Sequence, residues 1–396
     1  MTGVNRWLLP DGVKEVLPPE AGRIETLRRR LLDLHHSWGY DLVMPPLIEF
    51  IESLLTGTGN DLDVETFKVI DQLTGRTMGI RADITPQVAR IDAHSLGAQG
   101  VNRLCYSNTV LHTSPSNPLA SRSPLQVGAE LYGHAGLDSD LEIISLMLES
   151  ITHVGVHAPL TLDLGHVGIY GGLLAGMDLS DDQEQALFAL LQTKAVADID
   201  AFVVGLDMSE QDKQMLHQLA RLYGDIGVLE QATQVFANAS AEVLEAVAYL
   251  QQLAAAVQLR FPNVTLYFDL AELRGYQYHT GVVFAALTPA FGQPIAKGGR
   301  YDDIGRVFGR ARPATGFSAD LKILAELSST EASSDACVVI PGPDGLSTEQ
   351  CQLLWQKEAQ LRSQGFRVTS QLSGQSSAIA NGARLLSWRD GAWHLN

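Results

Sequence analysis

Cysteine is scarce in this chain: Cys105, Cys337 and Cys351 are the only three among 396 residues. Their wide separation offers neither disulfide nor metal-ligand spacing, which excludes a disulfide-stapled scaffold and predicts a reducing, cytoplasmic setting. Long apolar runs are missing too. No stretch approaches the ~20 residues that a membrane helix needs, so no membrane partner is expected. The opening MTGVNRWLLPDGVKE has no charged leader followed by an apolar run and a small-residue cleavage site, and no export signal is expected there. Positive charge is the third shortage: 28 Lys and Arg face 45 Asp and Glu, a net charge of −17. A nucleic-acid binder takes most of its affinity from phosphate contacts and needs a basic footprint. Here the one Lys/Arg cluster is Arg28–Arg30, short and on one predicted helix, so no nucleic-acid partner is expected. The histidines are scattered; His35 and His36 read as helix surface, and neither a metal nor any other cofactor is expected.

What the chain does have is enough length for about two or three domains and apolar content for a sizeable core. Its organising stretch runs from Arg81 to Gly133. Leu104–Tyr106, Val110–His112 and Leu125–Tyr132 have the apolar, β-branched or alternating character of paired strands. Thr113–Ser123, rich in Ser, Pro and Asn, reads as a long exposed hairpin loop. Polar residues sit where such strands would offer them to a pocket: Asp83, Thr85, Gln126 and Glu130. Gln126 and Glu130 are an even number of residues apart, so a regular strand points both to one face. Taken alone, these residues also fit an ordinary polar sheet face.

Around this stretch the pattern alternates between strand and helix. Ala21–Trp38 places Ile24, Leu27, Leu31 and Leu34 at helical spacing, and Tyr40–Glu49 is a strand broken by Pro45-Pro46. Phe67–Asp71 and Thr77–Ile80 bracket a hairpin turn. Asp138–Val154 is an amphipathic helix and Leu160–Leu164 a strand. From about Tyr170 to Arg260, Ala, Leu and Gln dominate at helical spacing, which predicts an inserted helical domain. Strands resume at Val264–Asp269, followed by ELRGYQYHTGVVFAAL, then AKGGRYD at Ala296–Asp302, and PATGFSADLKIL at Pro313–Leu324. After a polar linker, Glu326–Ser334, the remainder reads strand, helix, strand, strand, with a tight hairpin at Asp390-Gly391.

The order of these pieces resembles the histidyl-tRNA synthetase family of class II synthetases. The Arg81-x-Asp83-x-Thr85 segment and Gln126-x-Gly128-x-Glu130 resemble the family's holders of the amino acid histidine. ELRGYQYHTG resembles its histidine-specific Arg-Gly-x-Asp-Tyr-Tyr-x-Gly motif, placing Arg274 on the catalytic arginine, Tyr278 on the first tyrosine and His279 on the second, with Gln277 at the aspartate. Ala296–Asp302 is similar to the Gly-Gly-Arg-Tyr-Asp turn whose tyrosine, here Tyr301, reaches the histidine pocket. The resemblance implies an α+β fold: a class II synthetase-like antiparallel sheet flanked by helices. It implies a catalytic-type domain over residues 1–325 with a helical insertion at about 171–260. Residues 331–396 would form a small, truncated α/β segment similar to an anticodon-binding domain. Tyr40–Glu49 resembles the unit through which class II synthetases dimerise, so a self-dimer through the core is implied. The histidine-binding set carried over is Asp83, Thr85, Gln126, Glu130, Arg274, Tyr278, His279 and Tyr301.

The departures are as specific as the matches. The family's Phe-Arg-x-Glu before the loop falls on Leu111–Ser114, so the arginine that grips the ATP phosphate is His112 and the glutamate is Ser114. In the segment resembling motif 3, Asp320 replaces a glycine, Lys322 a glutamate and Ile323 the second ATP arginine. Losing a fixed cation where phosphate charge develops costs ~10²–10³ in rate per group. A histidine pocket kept beside a dismantled ATP site resembles the non-catalytic branch of this family, the regulatory subunits of ATP phosphoribosyltransferase. That resemblance implies no catalytic residues and free L-histidine as ligand. It implies hetero-oligomer formation with a short-form catalytic subunit in the first step of histidine biosynthesis. The alternatives are a histidine-binding paralogue that regulates another partner, and an active histidyl-tRNA synthetase.

Overall fold

The computed structural model describes residues 7–55, 60–97, 99–115, 120–273, 275–276, 278–330, 337–372 and 383–396. It divides into two compact units, Met1–Thr330 and Glu331–Asn396.

The first unit is built on a nine-stranded sheet. From one edge to the other its strands are Asp41–Leu42, Asn102–Thr109, Leu125–Tyr132, Ala314–Asp320, Phe291–Arg300, Val282–Thr288, Thr161–His166, Thr265–Asp269 and Tyr223–Gly224. Neighbours are antiparallel except for Asp41–Leu42 beside Asn102–Thr109 and Thr161–His166 beside Thr265–Asp269, which are parallel. A class II synthetase-like sheet flanked by helices is therefore present, mixed through these two pairs.

Successive strand residues point to opposite faces, so the register sorts the side chains. One cross-strand row runs Ala129, Phe317, Gly298, Phe284, Leu164 and Phe268. Its side chains belong to the main hydrophobic core, together with Ile143 and Met147 of the helix Leu137–His153 and Leu250 and Leu253 of Ala241–Arg260. The neighbouring rows face the other way and are small or polar, and it is there that the site lies. Burying one face and leaving the other polar is what the alternation in Leu125–Tyr132 requires.

The helix Glu20–Ser37 buries Ile24, Leu27 and Leu31 against the same core. It also buries His35, contrary to the expectation of a helix surface. The His35 ring is fully enclosed, with Nε2 3.0 Å from Ser150 Oγ and its edge toward Phe317. Burial, with His153 nearby, pushes its pKa down to about 4, so it is a neutral core residue. His36, one position on, is exposed.

Two further expectations are corrected. The strand Asn102–Thr109 ends before Val110, and His112 makes only an isolated bridge to Thr66, because the chain there turns toward the small sheet of Ile48–Phe50, Thr77–Ile80 and Phe67–Ile70. Gly298–Arg300 is not a turn. It ends the ten-residue strand Phe291–Arg300, and its glycines are needed because strands and rings approach closely on both sides.

Between Thr161–His166 and Thr265–Asp269 the chain is helical: Val167–Leu174, Asp181–Gln192, Val196–Val204, Glu210–Leu219, Gly227–Val235 and Ala241–Arg260. Ser180, Ser209 and Ser240 cap three of these by accepting from backbone N–H groups of the first turn.

The second unit is a four-stranded sheet in the order Arg367–Ser370, Cys337–Ile340, Arg384–Arg389, Ala392–Leu395, with the helix Thr348–Ser363. Its separate core contains Val338, Ile340, Leu354, Leu361 and Trp393. The closing hairpin turns through Asp390 and Gly391 at φ 48° and 78°, the paired positive values of a type I′ turn. No helix among the described residues is long and apolar enough to cross a membrane.

Candidate functional site

The polar face of the large sheet carries a cavity of about 190 Å³. Its floor is set by register. Glu130 pairs with Gly316, Gly316 with Gly299, Gly299 with Val283, and Val283 with Gly165. Three glycines in one cross-strand row leave a trough beside the Glu130 carboxylate. A Cβ on Gly316 would collide with that carboxylate, so the absence of a side chain there is what gives Glu130 its room.

Glu130 is buried, with 1% of its surface exposed. Tyr106 donates to Oε1 at 3.0 Å and Tyr301 donates to Oε2. Thr85 Oγ1 lies 3.3 Å from the Tyr106 hydroxyl, and the Tyr132 hydroxyl lies 3.3 Å from that of Tyr301. Burial pushes the Glu130 pKa up to about 8; the Tyr301 and Tyr106 donors oppose the rise and the Asp83 charge adds to it. The same burial, with Glu130 beside them, raises the pKa values of Tyr106, Tyr301 and Tyr278 well above the ordinary phenol range. Near neutral pH the cluster is thus a set of hydroxyl donors around a carboxyl group poised between its two protonation states.

Asp83 and Thr85 reach the same cavity from the segment that opens the helix Thr85–Arg90. Asp83 Oδ1 accepts from the Thr85 backbone N–H at 3.1 Å and from Gln126 Nε2 at 2.8 Å. The other end of the Gln126 amide accepts from the Ile84 N–H at 3.0 Å. Both ends of Gln126 are therefore spent on the Asp83 segment, and its side chain does not line the cavity.

Tyr278 closes another wall, stacked on Tyr301 with ring centroids 5.1 Å apart and edge-on to His279. The His279 ring packs where Cβ atoms on Gly275 or Gly299 would stand, and Gly275 holds the positive φ of 64° that turns the chain there. Six expected residues, Asp83, Thr85, Glu130, Tyr278, His279 and Tyr301, surround one cavity. Arg274 lies outside the described residues, as does Gln277.

Sequence reasoning missed several members. Asp163, Glu272 and Lys297 also line the cavity, and Tyr106 and Tyr132 support Glu130 from behind. The signal for the tyrosines was available in principle, since Tyr106 and Tyr132 lie two residues from Leu104 and Glu130, which face each other. Two arginines from the same motifs have structural roles. Arg81 donates to the carbonyls of Thr109 and Pro45 at 2.9 and 2.7 Å, and Arg300 forms a buried pair with Asp140 at 2.9 Å.

The positions that depart from the synthetase pattern are occupied by structure. His112 Nε2 is 2.9 Å from the Ala82 carbonyl. Asp320 caps the helix Leu321–Leu327, its Oδ1 accepting from the N–H groups of Lys322 and Leu125 at 3.0 and 3.1 Å. Lys322 donates to the Ser123 carbonyl, and Ile323 packs against the hydrophobic core. None of these four side chains lines the cavity.

Residues 12–324 match the histidyl-tRNA synthetase family. Over 382 residues the chain is 56% identical to the ATP phosphoribosyltransferase regulatory subunit of Thioalkalivibrio sulfidiphilus, covering 96% of this chain and 95% of the relative. It is 52% identical over 396 residues to the regulatory subunit of the same name from Stutzerimonas stutzeri, covering 99% and 98%. The fold superposes with a TM-score of 0.83, at 25% identity, on the crystal structure of an ATP phosphoribosyltransferase regulatory subunit/histidyl-tRNA synthetase from Bacillus halodurans C, covering 97% of this chain and 98% of that one.

Proposed function

The chain belongs to the histidyl-tRNA synthetase family and, within it, to the ATP phosphoribosyltransferase regulatory subunits, and on that premise we propose that it is a non-catalytic subunit that holds free L-histidine and reports its level to a catalytic partner. The observation that carries this reading is the buried Glu130 carboxyl, held by two tyrosine hydroxyls at the wall of an amino-acid-sized cavity.

In this reading Glu130 takes an N–H of the imidazole, with the stacked Tyr278 and Tyr301 and the His279 ring as walls. Asp83 and Thr85 receive the ammonium group, and Gln126 acts by fixing Asp83. A carboxyl group for each nitrogen-bearing end is what free histidine asks of a site. Adenylation does not follow binding, because the positions of the ATP arginines carry His112, tied to a backbone carbonyl, and Ile323, packed against the core.

The partner is a short-form ATP phosphoribosyltransferase catalytic subunit, which joins ATP and phosphoribosyl pyrophosphate in the first step of histidine biosynthesis. This chain dimerises through its synthetase-like core and completes the active assembly. Feedback is then linkage: if L-histidine binds more tightly in the inactive state of the assembly, occupancy shifts the population toward that state by the difference in affinity.

The test is reconstitution. Mixed with the short catalytic subunit from the same organism, this chain should co-elute with it and raise its phosphoribosyl-transfer rate. Absence of both effects would reassign the chain to another partner, and histidine-dependent ATP–pyrophosphate exchange would make it a synthetase.

A further inference from the structure

The helix Asp181–Gln192 of the insertion ends in an unusual residue. The N–H groups of Lys194 and Ala195 donate back to the Leu191 and Leu190 carbonyls at 3.1 and 3.2 Å, and Lys194 holds φ 54°. This is the left-handed helix cap that glycine most often fills, and a lysine there carries backbone strain. Among the described residues, Lys194 and Asp390 are the only non-glycine residues with positive φ.

The lysine has a use that glycine lacks. Its Nζ lies 2.8 Å from Asp269 Oδ1 and 2.9 Å from the Ala271 carbonyl, 75 and 77 residues on in sequence. Asp269 ends the strand Thr265–Asp269, and the chain beyond it leads to Tyr278 and His279. The same helix meets this chain again farther on. The Phe188 ring stands 5.8 Å from that of Tyr276, which is also edge-on to Tyr170 at 5.0 Å. The insertion therefore grips the chain at Asp269 and Ala271 and again at Tyr276. Glu272 and Gly275 lie between the two holds, Tyr278 and His279 follow the second, and all four line the cavity.

We propose that Lys194 is a positioning residue for the pocket: by fixing Asp269 and Ala271 it sets the wall formed by Tyr278 and His279, and so the affinity for L-histidine. This inference rests on the reading of the cavity as a histidine site. It adds a task for the helical insertion, whose described residues do not line the cavity.

The experiment compares the full chain as parent, Lys194→Gly and Lys194→Arg by titration calorimetry with L-histidine, urea unfolding and amide hydrogen exchange. Glycine suits the cap, so Lys194→Gly should unfold at the parent's urea concentration or above it. It should nevertheless bind L-histidine at least about threefold more weakly, the scale on which residues that touch no ligand alter binding. Lys194→Arg still offers Asp269 a cation and should bind within about twofold of the parent. Exchange in the peptide covering Leu270–Leu273 should be faster in Lys194→Gly, with no ligand present. In a His279→Ala background Lys194→Gly should cost less affinity than in the parent, because the wall it positions is already incomplete. Parent-like affinity or parent-like exchange in Lys194→Gly overturns the proposal alone, and so does an affinity loss of equal size in both backgrounds. If the parent binds no L-histidine, the histidine reading itself fails and this inference falls with it.

Discussion

The Tyr301 hydroxyl donates to Glu130 across two strand boundaries, from the residue that follows Phe291–Arg300 to the carboxyl of Leu125–Tyr132. The intervening strand contributes Gly316 at that point, and only an absent side chain lets the two meet. Tyr106 supplies a second donor from the opposite side. The carboxyl is thus buried with hydrogen-bond partners on both oxygens, an arrangement costly to build and of little use to stability alone.

That cost has a pH signature. With the Glu130 pKa raised from 4.5 to about 8, the folded chain keeps a proton that the unfolded chain gives up. The group's contribution to stability is complete below the unfolded value and is lost as pH rises through the folded one. Glu130→Gln cannot ionise. Urea unfolding from about pH 6 to about pH 9 should show the parent losing stability relative to this variant by up to about 1.4 kcal/mol per pH unit. Parallel curves would mean that Glu130 is not held protonated.

Gly316→Ala tests the trough. The added methyl meets the Glu130 carboxylate, while Gly292, in an exposed part of the neighbouring strand, has open space around it. Gly316→Ala should cost about 1–3 kcal/mol of stability, as over-packing does, and abolish L-histidine binding. Gly292→Ala should leave binding unchanged. Equal behaviour of the two in unfolding and titration would remove the glycine row from the account of the site.

Repairing the ATP side should fail. His112→Arg with Ile323→Arg restores two cations, yet Ile323 packs against the core and Asp320 remains as a half-buried helix cap whose pKa is raised by desolvation. Ser114 still stands where the synthetase pattern has its glutamate. Groups that act as a unit return little when partly restored. The double variant should show no histidine-dependent ATP–pyrophosphate exchange and should unfold at lower urea than the parent. Robust exchange from two substitutions would mean that the site was merely disarmed.

Much of this architecture was legible in the residues. Period-2 alternation in Leu125–Tyr132 and helical spacing in Glu20–Ser37 and Leu137–His153 follow from which face is buried, and the motif order brought Asp83, Glu130 and Tyr301 into one reading. What escaped was set by pairing between distant strands. Gln126 turns its amide to Asp83 and Ile84 only because the Arg81 segment crosses the end of its strand. Lys297 reaches the cavity through its register with Ala285 and Ser318. His35 looked like surface because its polar type suits a helix exterior, whereas in the fold the ring is neutral and only its Nε2 finds a partner, Ser150. The strand expected at Val110–His112 has suitable residues, but its backbone N–H groups go to the Pro124, Arg81 and Arg122 carbonyls, and only His112 forms a bridge, to Thr66.

The most direct measurement is the L-histidine dose–response of the reconstituted phosphoribosyltransferase, carrying this chain as parent, Glu130→Ala or Gln126→Ala. Losing one partner of a buried charged hydrogen bond costs ~2–5 kcal/mol of binding, so Glu130→Ala should raise the inhibitory concentration more than about tenfold. Gln126→Ala, which acts through Asp83, should raise it by a smaller factor, and both should still activate the catalytic subunit. Unchanged histidine sensitivity in both variants would contradict the central claim and move the sensing site out of this pocket.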